Sequence, residues 1–266
     1  ADGMKLAAVV MGGQIYTSND AGATWTPRDI ARYWKTIASS GDGRVLVAAA
    51  SAFDGMLLRW GHTGSIYVST DFGATWKPRG EAGNWFSVAA SADGRTLFAV
   101  QYGAATIDNS YKGIIVRSTD AGETWTELPG PREGSETENP AGYLPWFSIA
   151  TSADGTKLAL VDQHYSVIQE LRDRGDSGLG VLWTSSDSGK TWSGQAAMGT
   201  KKRWSAVAVS GNGNVIVGLI YRGDNWVSRN SGKNWLKGGN GGIEWRAVAS
   251  SLDGSRVVAV PVTGEG

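Results

Sequence analysis

Short apolar runs recur along this chain, and Gly-containing polar turns separate each run from the next. Five segments begin with tryptophan and pass through an Asp-Gly or Asn-Gly pair into a second apolar run: 34–50, 85–100, 146–161, 204–219 and 245–260. Such a pair between apolar runs predicts a tight hairpin, because glycine supplies the positive φ that the turn requires. Each segment is therefore predicted to form an inner strand followed by an antiparallel second strand.

A third strand and a polar turn of fixed pattern follow the second strand. The turn reads Ser-x-Asp-x-Gly-x-Thr-Trp, and strand plus turn recur at 15–25, 66–76, 115–125, 182–192 and 225–235. In the last copy Asn230 replaces the aspartate and Asn234 replaces the threonine. A short fourth strand comes next, so each repeat has four antiparallel strands at a period of about 40–60 residues, which is typical of β-propeller blades.

The recurring turn resembles the Asp-box, or BNR repeat, of sialidases, lectins, sortilin-like receptors, xyloglucan-degrading enzymes and photosystem assembly factors. The resemblance covers nearly the whole chain and implies an all-β propeller in which the boxes are structural. Within each turn we expect the Asp to accept backbone N–H groups, the Gly to be left-handed and the Trp to pack beneath. The box residues expected to stabilise turns rather than to catalyse are Asp20, Asp71, Asp120, Asp187 and Asn230.

The number of blades follows from counting strand sets. Sets that begin at Trp34, Trp85, Trp146 and Trp204 predict four complete blades. The two ends of the chain supply pieces that could complete a fifth and close the ring, which would remove exposed sheet edges. One second-type strand is then left over, so a ring of six or seven blades is the alternative. We expect a single propeller domain over residues 1–266 with five blades.

Composition removes several classes of function. The chain has 25 basic and 25 acidic residues, which argues against nucleic acid as a partner because that requires a basic face. No apolar run is long enough for a membrane span. The absence of cysteine excludes disulfides and thiolate metal sites. No cofactor is expected, and an extracellular or secreted location is the expectation. The sialidase Arg-Ile-Pro motif does not occur, so sialidase activity is not expected.

Four insertions break the repeat: 51–63, 101–112, 162–180 and 129–145. The first three join second to third strands, and the last joins one repeat to the next. Because neighbouring strands alternate in direction, we expect all four to emerge on one face, opposite the recurring turns. Loops on a rigid scaffold commonly carry binding groups. The alternative is that these are solvent-exposed insertions without a function, which surface loops tolerate.

The insertions combine aromatic rings with polar side chains that both donate and accept hydrogen bonds. Rings stack on the apolar faces of sugars, and the polar groups bind hydroxyls. We therefore predict a lectin-like protein with one asymmetric carbohydrate site, whose ligand is a glycan or another small polar molecule. The equally open alternative is that the rings only hold their own loops in place. The predicted ligand-binding residues are Trp60, His62, Tyr102, Asp108, Asn109, Tyr111, Gln163, His164 and Tyr165.

Other chemistries are possible on the same face. Asp108 and Asp162 follow neighbouring second strands and could form the two-carboxylate pair of a glycan-cleaving enzyme. The two histidines could join them as metal ligands, but nothing in the spacing demands a metal, and none is predicted. A third hypothesis is a protein-interaction, assembly or adhesion scaffold. Its possible contacts are Lys201, Lys202, Arg203 and Arg222, and the Arg-Gly-Asp tripeptide at 174–176 adds little because it recurs by chance.

Overall fold

The computed structural model describes residues 3–51, 64–101, 104–105, 111–131, 146–162, 180–195, 198, 202–239 and 241–262. These residues form 22 β-strands, and none of them forms an α-helix. The protein is therefore all-β, as predicted. Two compact units, Ala1–Leu128 and Pro129–Gly266, divide the chain and are described separately. The prediction of a single domain stays a prediction.

The first unit contains two of the predicted four-stranded blades. Its largest sheet has the order β1-β2-β3-β4-β5-β6, all antiparallel. β3 is long because it has two roles: its first half pairs with β2 as a fourth strand, and its second half pairs with β4 as the inner strand of blade 1. The strands of this sheet are β1 (Leu6–Val9), β2 (Met11–Ser18), β3 (Thr26–Ser39), β4 (Leu46–Ser51), β5 (Gly64–Ser69) and β6 (Lys77–Gly83).

Blade 2 completes the first unit and contains a small addition. Its sheet has the order β12-β11-β8-β7, and a separate two-stranded hairpin, β9 with β10, lies within the insertion that follows β8. The strands are β7 (Trp85–Ala90), β8 (Leu97–Gln101), β9 (Ala104–Ala105), β10 (Tyr111–Lys112), β11 (Ile115–Ser118) and β12 (Thr126–Leu128).

The second unit contains blades 3 and 4 and a two-stranded sheet at the C-terminal end. Blade 3 consists of β13 (Trp146–Thr151), β14 (Leu158–Asp162), β15 (Leu182–Ser185) and β16 (Ser193–Gly194). Blade 4 consists of β17 (Trp204–Val209), β18 (Ile216–Ile220), β19 (Asn225–Ser228) and β20 (Leu236–Gly238). The last sheet pairs β21 (Trp245–Ser250) with β22 (Val257–Pro261). The four complete blades predicted from the sequence are thus confirmed.

The closing fifth blade is not confirmed. β1 ends the six-stranded sheet on one side, and β22 ends the C-terminal sheet after only two strands. Five blades therefore stay a prediction, with six or seven as the alternative.

The core of each blade lies around its second strand. β4, β8, β14 and β18 read as nearly continuous apolar runs because each has a sheet neighbour on both edges and packing on both faces. The tryptophan that begins each inner strand packs on this layer, and four of the five are fully buried: Trp34, Trp85, Trp146 and Trp204. Trp85, for example, packs with Val47, Ile66 and Val68 of blade 1. Burial of this kind gives these rings a structural role.

Candidate functional site

The Asp-box turns form one end of every blade, which we call the turn end. In the box of blade 1, Asp71 Oδ1 accepts the Ser69 hydroxyl at 2.7 Å and the Thr75 N–H at 2.9 Å. Its Oδ2 accepts the Thr75 hydroxyl at 2.6 Å. The Gly73 N–H donates to Ser69 Oγ, so serine and aspartate together satisfy the turn.

The other boxes repeat this geometry closely. Asn230 uses its Oδ1 to accept the Ser228 hydroxyl and the Asn234 N–H, which shows that an amide oxygen can cap the turn. Each box glycine is left-handed, as predicted, and so is the residue before it, for example Phe72 at φ 62°. That second left-handed residue was not predicted. Trp25 departs from the expected packing beneath its turn, because 42% of its surface is exposed.

The hairpins between inner and second strands carry a second self-contained turn at the same end. In the first of these turns Asp42 Oδ1 accepts the Ser40 hydroxyl and the Arg44 N–H, and Ser40 Oγ accepts the Val45 N–H. Hydrogen bonds from side-chain hydroxyls and backbone N–H groups of the Asp-box and hairpin turns hold the pKa of several carboxyls at about 2: Asp20, Asp120, Asp187 and Asp253. Carboxylates bonded inside their own turns stabilise the fold, so we assign them a structural role.

The opposite end of each blade is the link end, where second strands lead to third strands and fourth strands lead to the next inner strand. Most predicted ligand-binding residues belong to links outside the described residues: Trp60, His62, Tyr102, Asp108, Asn109, Gln163, His164 and Tyr165. Lys201 and the Arg-Gly-Asp tripeptide also lie outside them. Tyr111 begins β10 and pairs with Ala105 of β9, so part of the blade 2 insertion is a short hairpin.

Asp162, proposed as one catalytic carboxylate, ends β14 and is fully buried. Its Oδ1 accepts the Val181 N–H at 2.9 Å and the indole N–H of Trp183 at 3.0 Å. Both donors belong to the chain that enters or forms β15. Asp162 thus ties the second strand of blade 3 to its third strand.

A group of charged and aromatic side chains lies at the link end of blade 4. We call it the cationic cluster and define it as Arg203, Tyr221, Arg222 and Glu244. The Arg203 guanidinium lies 4.2 Å from the centre of the Tyr221 ring, and the Arg222 guanidinium lies 5.5 Å from it. Arg222 donates to Glu244 Oε1, and hydrogen bonds from Arg222 and Tyr221 lower the Glu244 pKa.

The backbone holds the cationic cluster in place. The Tyr221 N–H donates to the Arg203 carbonyl at 2.7 Å, and the Gly223 N–H donates to Ile220 in the tight link after β18. Arg222 adopts a left-handed φ of 51° in this link, and its side chain is 68% exposed. Arg203 and Arg222 were named from the sequence as possible partner contacts. Tyr221 and Glu244 were not named, because only the fold brings together the link after β18 and the link before β21.

Within the described part of the chain, a cation lies near a third-strand aromatic ring at two link ends. Lys202 lies 5.6 Å from the centre of the Trp226 ring in blade 4, and Arg32 lies 4.5 Å from that of Tyr67 in blade 1. Each cation stands two residues before the tryptophan of its inner strand. We interpret these contacts as stabilising the packing between strands, whereas the Arg203 and Arg222 contacts with Tyr221 have no counterpart in another blade among the described residues.

Within the part of the chain that the structure describes, no group of three or more His, Asp and Glu side chains could hold a metal ion. No described segment forms a helix long and apolar enough to cross a bilayer.

Comparison with known proteins supports the repeat and the fold. The BNR/Asp-box repeat profile matches residues 67–78. The GH74 xyloglucanase from Xanthomonas campestris has a similar structure, with a TM-score of 0.60, 18% identity, and coverage of 97% of this chain and 41% of that chain. An ancestral GH74 enzyme gives a TM-score of 0.63 at 13% identity, with 99% of this chain and 34% of that chain covered. This chain thus spans about two fifths or less of either GH74 protein.

A second kind of structure matches over most of both chains. YCF48 from Cyanidioschyzon merolae has a TM-score of 0.54 and 13% identity, and the match covers 96% of this chain and 88% of that chain. YCF48 bound to a D1 peptide has a TM-score of 0.50 and 12% identity, covering 100% and 91%. No curated protein sequence matches. Repeat and fold together define a β-propeller built from BNR/Asp-box repeats, similar in architecture to glycan-acting and to peptide-binding propellers.

Proposed function

We propose that this propeller is a binding protein that recognises an acidic segment of a protein partner at the link end of blade 4. The cationic cluster is the observation that carries the proposal. Two guanidinium groups lie 4.2 Å and 5.5 Å from the centre of one ring, and the cluster as defined contains one carboxylate, Glu244. The guanidinium fork binds carboxylates through two parallel hydrogen bonds, which suits aspartate, glutamate or a chain terminus.

The placement of the cluster suits capture of a partner. The contact of Arg203 with the Tyr221 ring and the ion pair of Arg222 with Glu244 hold these side chains before binding, which reduces the conformational entropy lost when a carboxylate binds. The exposed Arg222 side chain has only one carboxylate partner in the cluster and keeps donors for a second. The peptide-bound YCF48 structure supports this class of function by likeness of fold.

Catalysis is supported less well by the described residues. The glycan-cleaving alternative pairs Asp108 with Asp162, and two catalytic carboxyls must face the scissile bond. Asp162 is fully buried with its Oδ1 occupied by two donors of its own blade. A binding function requires no such pair.

A charge-reversal experiment tests the proposal. An array of acidic, neutral and basic peptides is probed with the wild type, with Arg203→Glu/Arg222→Glu and with Arg229→Glu/Lys233→Glu. The last variant changes the net charge equally but alters exposed residues at the turn end of the same blade. We expect acidic peptides to bind the wild type and the control, and to lose at least about tenfold in affinity, or about 1.4 kcal/mol, with the cluster variant.

The dependence of peptide binding on salt concentration is an independent test. Binding through these charges weakens as the ionic strength rises, because salt screens exposed charges beyond about 10 Å at 0.1 M. Equal binding of acidic and basic peptides, or equal losses in both variants, would contradict the proposal.

A second candidate is the lectin-like, carbohydrate-binding function with its asymmetric site in the insertions after β4, β8 and β14. The specific observation is the concentration of aromatic rings and polar groups in these three links, beginning with the β9–β10 hairpin that carries Tyr111. The likeness of fold to GH74 enzymes supports a glycan as the ligand class.

A glycan and polysaccharide array tests this candidate. The Trp60→Ala/His164→Ala variant should lose binding while it keeps its thermal midpoint, and the cationic-cluster variant should keep binding. Failure of the wild type to bind any glycan would remove the candidate. If glycans bind, an assay of reducing-end release over time separates a lectin from an enzyme.

A further inference from the structure

A buried carboxylate stands at one position of blade 3 where the other described hairpins have an uncharged residue. Asp162 pairs with the tryptophan that begins the inner strand of its blade, and its side chain is fully buried. The residues that pair with the corresponding tryptophans of the other hairpins are Ala50, Gln101, Ile220 and Pro261. The blade that follows blade 3 in the chain is blade 4, which carries the cationic cluster.

Asp162 holds the segment of chain that leads into β15. Its Oδ1 accepts the Val181 N–H at 2.9 Å and the Trp183 indole N–H at 3.0 Å. Gly180 precedes Val181 and lies directly against the backbone of Asp162, since a Cβ at Gly180 would overlap the Asp162 carbonyl oxygen. The carboxylate therefore fixes this segment where the two stretches of chain are in close contact.

Gly180 in turn holds both sequence neighbours of Arg203. Its N–H donates to the Lys202 carbonyl at 2.8 Å, and its carbonyl accepts the Lys202 N–H at 3.0 Å. The same carbonyl accepts the indole N–H of Trp204 at 3.2 Å inside the protein. Blade 3 thus holds the chain of blade 4 on either side of the arginine.

The chain turns sharply between these two attachments, and Arg203 lies at the apex. The Trp204 N–H donates to the Lys202 carbonyl at 3.0 Å, which closes a three-residue turn. The side chain at the apex of such a turn projects away from the hydrogen bond that closes it. The Arg203 guanidinium lies 4.2 Å from the centre of the Tyr221 ring, and the Tyr221 N–H donates to the Arg203 carbonyl. The direction of this guanidinium therefore depends on where Gly180 holds the turn.

We propose that Asp162 is a positioning residue of the peptide-binding site in blade 4. It fixes Gly180, and Gly180 fixes the turn that presents Arg203 to the ligand. The inference rests on the proposed binding of an acidic segment at the cationic cluster. Asp162 acts through these hydrogen bonds and itself contacts no ligand, so the buried carboxylate has a role in binding that requires neither exposure nor catalysis.

The affinity for a hexaglutamate peptide, measured well below the thermal midpoint of every variant, tests the proposal. Asp162→Ala should weaken binding by about fivefold, an ordinary coupling between residues of one hydrogen-bond network. Asp162→Asn removes the same charge but keeps an acceptor oxygen, so it should bind like the wild type. Asp120→Ala loses stability in the first unit and should also bind like the wild type, which separates positioning from a general loss of stability.

A double-mutant cycle identifies the residue through which Asp162 acts. In an Arg222→Ala background, Asp162→Ala should still weaken peptide binding by about fivefold. In an Arg203→Ala background it should change the affinity by less than about twofold, because the side chain that it positions is gone. Equal losses in the two backgrounds would overturn the proposal, and so would a loss in Asp120→Ala as large as that in Asp162→Ala.

The NMR signal of the Arg203 side chain provides a readout that needs no peptide. The Tyr221 ring shifts the signal of the nearby Nε–H group, which is assigned by its absence in Arg203→Lys. This signal should move toward that of an unstacked arginine in Asp162→Ala and stay in place in Asp162→Asn and Asp120→Ala. An unmoved signal in Asp162→Ala would overturn the proposal, whatever the affinity does.

Two provisions keep the test decisive. Asp162→Ser takes the place of the alanine variant if that chain does not fold, because the shorter serine side chain does not place an oxygen where Oδ1 lies. It should move the Arg203 signal in the same direction. If the wild type binds no acidic peptide, the proposed function is wrong, and the Arg203 signal still decides whether Asp162 positions that side chain.

Discussion

Replacement of Asp120 by alanine removes the hydrogen-bond acceptor of one Asp-box while leaving the blade around it unchanged. In the folded protein Oδ1 accepts the Ser118 hydroxyl at 2.7 Å and the Thr124 N–H at 2.9 Å, and Oδ2 accepts the Thr124 hydroxyl at 2.6 Å. Thr124 is exposed and can bond to water instead. Ser118 is buried, so its hydroxyl proton loses its acceptor inside the protein.

The expected loss in the free energy of unfolding follows from these three hydrogen bonds. A buried donor left without a partner costs about 1–3 kcal/mol, and a hydrogen bond to a charged group contributes about 1.5–3 kcal/mol where water does not replace it. Because water replaces the Thr124 contacts in part, we expect Asp120→Ala to lower the free energy of unfolding by about 2–4 kcal/mol. The thermal midpoint should fall by roughly 5–15 °C.

Asp120→Asn is the matched control, because Asn230 already caps the fifth box through its Oδ1. This variant keeps an acceptor for Ser118 and the Thr124 N–H and should lose only about 1 kcal/mol. Urea unfolding followed by tryptophan fluorescence measures both variants. The reasoning would be refuted if alanine cost under 0.5 kcal/mol, roughly the size of an ordinary surface change, or if asparagine were as damaging as alanine.

Three further predictions concern stability. The urea midpoint should fall between about pH 4 and pH 2. Folding lowers the pKa of four turn carboxyls from 3.8 to about 2, so the stability that they add above pH 4 is lost as they become protonated: Asp20, Asp120, Asp187 and Asp253. A urea midpoint that stays constant down to pH 2 would contradict this. Gly218→Ala should lower the free energy of unfolding by about 1–3 kcal/mol, because the added Cβ would lie 2.6 Å from the Trp204 ring. Gly239→Ala is the control and should leave the urea midpoint unchanged, because a Cβ at Gly239 meets nothing within 4 Å. Asp162→Ala should lower the free energy of unfolding by about 2–4 kcal/mol, because two donors lose their acceptor. Asp162→Asn keeps an acceptor oxygen and should lower the thermal midpoint less. Equal losses in the two variants would show that the bonds to Asp162 Oδ1 do not stabilise the fold.

The repeat made most of the architecture predictable. Each blade depends on contacts within about 60 residues of sequence, so hairpin glycines, alternating apolar runs and box residues specify it locally. The serine of the box was less visible, since its role as acceptor for the glycine N–H appears only in the folded turn. Trp25 shows the limit of the repeat, because its sequence matches the other boxes and yet 42% of its surface is exposed.

The candidate site was predictable only in part. The sequence analysis named Arg203 and Arg222 only as possible contacts of a protein partner. Their shared contact with Tyr221 forms because the fold brings together two links that a whole hairpin separates in sequence. Asp162 looked like a surface carboxylate of an insertion, and the structure buries it against β15 instead. Its two donors, Val181 and Trp183, are about 20 residues away in sequence, so only the folded chain shows that they meet this carboxylate.

By itself the sequence determined that this protein is all-β, that it contains four complete blades and that the Asp-box carboxylates stabilise turns. These features are local, because hairpin and box residues satisfy one another within a few positions of the chain. Only the tertiary structure decided which side chains meet at the link ends, and which strands lack a neighbour. Those properties depend on contacts between segments far apart in sequence, and no local pattern of apolar and polar residues encodes them.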